Sequence, residues 1–399
     1  MERLRSDAWP HDLEPPRRVL PVGQDESWRR VWPSIKRMQQ AMPRAFSRDP
    51  LLWLCPIGLW LAGLLELWSL SRGLNYPVSL LIRQSVIGLL GLLTALFLAR
   101  LRWPTVLRLL PWGVGLSAVS LLAVLAIGTN INGAERWLSL GPLGSFQPSE
   151  PAKLSAMVAT AYLMTRSKTA SQGLAKTLAM VGLFALLIFF QPDLGTALVL
   201  AGVSVGLAYL AGAPWKPLAA VLGSAVAVLP WCLDEYQWQR IHTFLTPESD
   251  PSGAGWNLEQ AKIAIGSGGV WGKGAFHGLQ GPLDFLPEAH SDFIFAVLSE
   301  EYGFLACLWV VCLTTTLVSR LFYHGRKLSH PMRALVLVGL GLHFSLHAAL
   351  NLGMTIGIAP VTGSPLPFVS FGGTALFCNF AAIGLAEAIL RAQRFSHDA

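Results

Sequence analysis

After residue 50 the chain alternates between long apolar runs and short charged breaks. The apolar runs are Leu51–Ser71, Val78–Ala99, Thr105–Ile127, Glu150–Thr165, Leu174–Phe190, Leu194–Ala213, Lys216–Leu233, Asp292–Phe322, Met332–Met354 and Gly372–Leu390. A helix needs roughly 20 apolar residues to cross a bilayer, so the pattern predicts an all-α polytopic membrane protein with about ten transmembrane helices. The fourth to seventh runs are short and separated by only a few residues, which makes that stretch the least regular.

The breaks divide the chain into a basic N-terminal tail over residues 1–50, a membrane domain over 51–390 and a short C-terminal tail over 391–399. The first tail holds Pro10, Pro15, Pro16 and Pro21, which discourage regular structure. Its stretch Trp28–Phe46 reads equally as an amphipathic surface helix or as a solvated segment. It has no short apolar core with a small-residue cleavage site, so no cleavable signal peptide is expected. Arg100, Arg102, Arg166, Lys168, Lys176, Lys216, Arg320, Arg326, Lys327, Arg333, Arg391 and Arg394 all fall on the side of that basic tail. The positive-inside rule makes this side cytoplasmic and places both termini inside. The opposite side receives Gly128–Ser149, the long loop over 234–291, and the charge-free segment Thr355–Phe371.

Composition supports the bilayer as solvent: 53% of residues are hydrophobic and only 13% are charged, too few to cover a soluble protein of this size. The net charge of +7 is accounted for by the tail and the inner loops, so no nucleic-acid partner is expected. Cys55, Cys232, Cys307, Cys312 and Cys378 lie in or beside apolar stretches without metal-ligand spacing and read as small core residues.

An ionised side chain in lipid costs at least about 2.5–3.5 kcal/mol, so such residues need a partner or a task. Glu150 and Lys153, at i and i+3, can pair on one helical face. The plainer reading of Glu150 is a helix-start carboxylate, with Ser149 as N-cap. Asp292 opens the eighth span, with Glu288 and His290 just before it; a helix-start role is the plainer reading, but a carboxylate at such a mouth can have a raised pKa and act as a general base. Glu300 and Glu301, deeper in that span, suit a structural polar contact. His343 and His347, four residues apart, have metal-binding spacing but no evident third ligand, which favours packing or hydrogen bonding. Arg83, Arg136, Lys262 and Lys273 add positive charge towards the outer side, suited to a phosphate or pyrophosphate headgroup. The glycine-rich string I-G-S-G-G-V-W-G-K-G lacks the nucleotide P-loop pattern and reads as backbone that can approach a bulky ligand.

Several strings resemble the SEDS family (shape, elongation, division and sporulation), whose members include RodA, FtsW and SpoVE. They are N-G-A-E-R-W-L-S-L-G, F-Q-P-S-E-P-A-K-L, Q-P-D-L-G-T-A, R-I-H-T-F-L-T-P-E-S-D-P-S-G-A-G-W, A-I-G-S-G-G-V-W-G-K-G, F-L-P-E-A-H-S-D-F-I-F-A-V-L-S-E-E-Y-G and P-V-T-G-S-P-L-P-F-V-S-F-G-G. They run in the family's order from about Asn130 to Gly373. Within the family, three stretches look more like RodA than FtsW: P-E-S-D-P-S-G-A-G-W, Q-A-K-I-A-I-G-S-G-G and A-P-V-T-G-S-P-L-P-F-V-S. Ser291 stands where Thr is usual and Phe371 where Tyr is usual.

The resemblance implies a ten-span fold in the bacterial inner membrane and an inverting peptidoglycan glycosyltransferase that polymerises lipid II alongside a class B penicillin-binding transpeptidase. It implies Asp292 as catalytic base and Glu150 and Lys153 as cavity residues. Arg136, Lys153, Lys262 and Lys273 are the candidates for stabilising the departing pyrophosphate, alone or with a divalent cation such as Mg or Mn, and His290 lies beside the base. The alternatives are a division-type FtsW polymerase, a lipid II flippase, and a noncatalytic scaffold.

Overall fold

The structure is a computed structural model that describes residues 49–72, 76–131, 134–139, 141, 144–233, 235–246, 250, 253–281 and 285–397. The N-terminal tail to residue 48, with the stretch Trp28–Phe46, lies outside the described residues. The helices are α1 (Leu51–Leu70), α2 (Val78–Leu98), α3 (Trp103–Ile127), α4 (Ser149–Arg166), α5 (Ala170–Phe189), α6 (Leu194–Leu210), α7 (Trp215–Cys232), α8 (Glu235–Leu245), α9 (Ala254–Gly268), α10 (Ile294–Lys327), α11 (Pro331–Thr355) and α12 (Gly373–His397).

A helix stands at each of the ten expected spans. Seven of them (α1, α2, α3, α5, α10, α11 and α12) are long and apolar enough to cross a membrane by length and composition. The other three differ for physical reasons. Helices α6 and α7 are short, and α4 carries Glu150, Lys153 and Thr160 inward rather than an all-apolar surface. Helix α12 runs on to His397, so the residues after 390 continue the last span instead of leaving it as a tail.

Local chemistry sets several starts. The Asp49 carboxylate accepts from the Leu51 N–H at 3.1 Å ahead of α1. Thr169 caps α5 through Gln172 N–H, and Asp193 caps α6 through Thr196 N–H. Ser149 does not cap α4: it is the first helical residue, and its hydroxyl is buried without a hydrogen bond.

Two of the connecting segments carry secondary structure. Three short strands form an antiparallel sheet in the order β1 (Thr129–Ile131), β2 (Ala134–Ser139), β3 (Ser145–Phe146). The long loop contains α8 and α9. The charge-free segment dips inward: Leu366, Phe368 and Val369 are buried, and Phe368 packs between Phe344 and Phe380 with ring centroids at 5.4 and 5.2 Å.

Helix α10 is interrupted, contrary to the continuous eighth span the sequence suggests. Gly303 has φ 73°, a conformation that favours glycine, and breaks the helix. The glycine string fills the break. Phe304 and Leu305 donate N–H bonds to the carbonyls of Gly269 and Val270, while Lys273 and Gly274 donate to those of Glu300 and Glu301. Backbone groups at membrane depth must find partners within the protein, and this exchange supplies them. A Cβ on Gly303 would lie 2.3 Å from Gly272 N. The string's close approach is therefore to this broken helix.

Candidate active site

The tight turn before α10 presents Asp292. The Glu288 carbonyl, at a residue with φ 56°, accepts N–H bonds from Ser291, Asp292 and Phe293. Ser291 also donates its hydroxyl to the Glu288 carboxylate at 2.7 Å. Two segments hold the turn from behind. Ser370 Oγ donates to the Ser291 carbonyl and Phe371 N–H to that of His290. Asn351 Nδ2, on α11, donates to the carbonyls of Asp292 (3.0 Å) and Ser364 (2.9 Å).

The Asp292 carboxylate itself accepts no hydrogen bond among the described residues. It faces Gly363, where φ is +70° and where an added Cβ would lie 3.5 Å from Asp292 Oδ2 and 3.9 Å from Arg240 Nη1. Arg240, from α8, donates Nη1–H to the Val361 carbonyl at 3.0 Å. Arg136, from β2, donates to the Pro192 carbonyl and lies 3.6 Å from Asp193 Oδ1. Gln147 Nε2 donates to the other oxygen of Asp193 at 3.2 Å.

The surroundings of Asp292 remove water from its carboxyl. That desolvation, helped by the negative charge of Glu288, pushes its pKa up to about 6, against the pull of Arg240 and Arg136. A carboxylate that titrates near neutrality and is not saturated by donors suits proton transfer. Burial pushes His290 the opposite way, below the usual imidazole value, against Glu288. Its ring packs between Tyr76 and Phe371 at 5.5 and 5.4 Å. It serves as a wall beside the turn.

The other sequence candidates are distributed. Lys153 Nζ lies 2.9 Å from Glu150 Oε1 and 2.8 Å from His347 Nε2, all three residues buried in the bundle. His347 therefore engages in hydrogen bonding, as favoured above. Lys262 lies along the backbone at Gly357, just past the end of α11. Lys273 pairs with Glu300 at 2.6 Å in the α10 break. Arg136 and His290 are thus the sequence candidates beside Asp292, together with Arg240 and Asp193, which reasoning on single residues missed. Both lie inside strings that carry the family resemblance, R-I-H-T-F-L and Q-P-D-L-G-T. Asn351 lies in none of those strings; its only signal was an amide in an apolar span. Among the described residues, no group of three or more His, Cys, Asp or Glu is spaced to hold a metal ion.

The family model of the cell cycle proteins FtsW, RodA and SpoVE matches residues 50–395. The peptidoglycan glycosyltransferase MrdB of Escherichia coli (strain K12) is 36% identical over 347 residues, covering 86% of this chain and 93% of that one. The probable peptidoglycan glycosyltransferase FtsW of Pseudoalteromonas atlantica is 37% identical over 344 residues, covering 84% and 70%. Among solved structures, the rod shape determining protein RodA of Thermus thermophilus matches with a TM-score of 0.66 and 30% identity over 88% of this chain and 98% of that one. A chain from a structure describing how a peptidoglycan synthase complex coordinates polymerization and crosslinking matches with a TM-score of 0.73 and 31% identity over 87% and 98%. With its all-helical, polytopic membrane fold and its motifs in order, the chain belongs to the FtsW/RodA/SpoVE family.

Proposed function

We propose that this chain is an inverting peptidoglycan glycosyltransferase that joins lipid II units at the outer face of the bacterial cytoplasmic membrane, in the elongation role of RodA-like enzymes. The observation that carries the chemistry is the Asp292 carboxylate, free of donors among the described residues and set beside two arginines. Relatives similar over most of the chain are named peptidoglycan glycosyltransferases, which supports the reading.

Asp292 takes the proton from the acceptor sugar's 4-hydroxyl. The oxygen forms a bond to the donor's anomeric carbon from the face opposite the leaving group. The bond from that carbon to the pyrophosphate oxygen breaks, and its electron pair leaves with undecaprenyl pyrophosphate. The proton on Asp292 then passes to water. Arg240 and Arg136, anchored through the Val361 and Pro192 carbonyls, are the cations placed to offset the developing phosphate charge. Gly363 keeps the space between Asp292 and Arg240 open.

The purified chain, with a class B transpeptidase partner and no other glycosyltransferase, is expected to convert labelled lipid II into glycan chains resolved on gels. Movement of lipid II across the bilayer without polymer would favour the flippase. Restored rod shape or restored septation in depleted cells reads the elongation or division branch. The loop charges put both termini inside, which leaves the segment 234–291 outside. A Ser252→Cys variant, with the native cysteines replaced, is expected to react with an impermeant thiol reagent on intact spheroplasts. Labelling only after lysis would overturn this topology.

A further inference from the structure

His347 lies outside every string that carries the family resemblance. It sits on α11 between His343 and Asn351, at intervals of four residues, so the three share one helical face. All three are buried, at 4%, 4% and 0% exposure for His343, His347 and Asn351. This face makes two polar contacts. Asn351 holds the Asp292 turn through its backbone carbonyl. One turn away, about 6 Å along the helix, His347 meets the Lys153 ammonium.

That ammonium is placed between two acceptors, Glu150 Oε1 at 2.9 Å and His347 Nε2 at 2.8 Å. An ammonium has donors only, so His347 Nε2 accepts and the imidazole carries its proton on Nδ1. Behind it, His343 packs edge-on with ring centroids 4.7 Å apart and hydrogen-bonds Asn379 of α12. The acceptor is therefore held in place from a third helix.

We propose that His347 is a positioning residue that fixes the Lys153 ammonium against Glu150 by accepting one of its N–H bonds, so that α11 holds both the Glu150–Lys153 pair and the Asp292 turn in one register. The functional consequence rests on the polymerase reading above, in which Glu150 and Lys153 support the cavity. The hydrogen bond itself can be tested without it. Gln offers an amide oxygen as acceptor with similar reach; Leu offers none, and Met, unbranched and with only a weakly accepting thioether, substitutes for Leu where Leu lowers the yield.

The experiment compares His347→Gln, His347→Leu and His347→Met in the full-length chain at equal amounts extracted from membranes. It has two readouts: polymerisation of lipid II, and modification of Lys153 by an amine reagent followed by mass spectrometry. Losing a hydrogen bond to a charged group corresponds to at least about tenfold. His347→Leu and His347→Met are expected to lose at least about tenfold in kcat with KM little changed, and to expose Lys153 to modification at least about tenfold faster. His347→Gln is expected to restore most of both. Equal loss with Gln and Leu would mean that ring shape, not the acceptor, matters. Unchanged Lys153 protection in the Leu and Met variants would overturn the proposal. A native chain that makes no polymer would sink the polymerase reading, while the modification pattern would still decide the role of His347.

Discussion

Two carboxylates within three turns of one helix have opposite surroundings. Glu300 accepts from the Lys273 ammonium at 2.6 Å and from the backbone N–H groups of Leu279 and Gln280 at 3.1 and 3.0 Å. Its neighbour Glu301 accepts from Ser69 Oγ and Phe276 N–H. Asp292, two residues before α10, accepts from nothing described; Glu288 opposes its charge, and the two arginines that favour it, Arg240 and Arg136, are tied to backbone carbonyls. The contrast separates two uses of an acid near lipid. A carboxylate surrounded by donors has much of its basicity taken up and works as a structural tie, here closing the α10 break. One whose donors are withheld keeps a basic oxygen, and desolvation tunes it towards neutrality.

The largest expected effect tests the open member. Asn keeps the shape of Asp but cannot take a proton, so Asp292→Asn is expected to insert and fold normally. Polymerisation of labelled lipid II should fall by at least about a hundredfold, the lower end for a general base. Chains of normal length made at normal rate would end the catalytic assignment and return the flippase to consideration.

The saturated member should respond in the other currency. Glu300→Gln keeps one carbonyl oxygen for the backbone donors but loses the ion pair with Lys273, whose side chain is 31% exposed and so partly screened. We expect a loss of about 1–2 kcal/mol in stability, seen as a lower thermal midpoint in detergent. Activity per folded molecule should stay within about threefold. A Gln variant as stable as native but as inactive as Asp292→Asn would erase the distinction between the two acids.

The same contrast explains what was legible in the chain. The ten apolar helices could be read because apolar length acts locally. Asp292, Glu150 and Lys153 stood out because charge beside an apolar run is costly wherever the chain folds. Arg240 did not, because it sits beside no long apolar run; Asp193, just ahead of the sixth run, reads as a helix-start cap, which it is, and its place near Asp292 shows only in the fold. The α10 break was hidden for a related reason. Gly303 is one small residue in an apolar stretch, and only the pairing with residues 269–274, about thirty positions earlier, shows that the helix must open. Likewise Lys273 looked available for phosphate until Glu300 was seen to hold it.

The smallest expected effect is the most specific to the Asp292 surroundings. A base must be deprotonated to act, so kcat/KM should be level above a midpoint near 6 and fall about tenfold per pH unit well below it. Burial raises that midpoint most, Glu288 raises it further, and Arg240 and Arg136 lower it. Glu288→Gln removes a charge that favours the protonated acid, so its acid limb should move to lower pH. Arg240→Gln removes a charge that favours the carboxylate, so its limb should move to higher pH, whatever it does to the plateau. The measurement is the limb midpoint in profiles of polymerisation rate against pH for the three proteins at fixed salt. Opposite movements tie the limb to a group lying between Glu288 and Arg240, and Asp292 is the group with that position. Midpoints that coincide in all three proteins would assign the limb to another residue and remove the electrostatic half of the argument for Asp292.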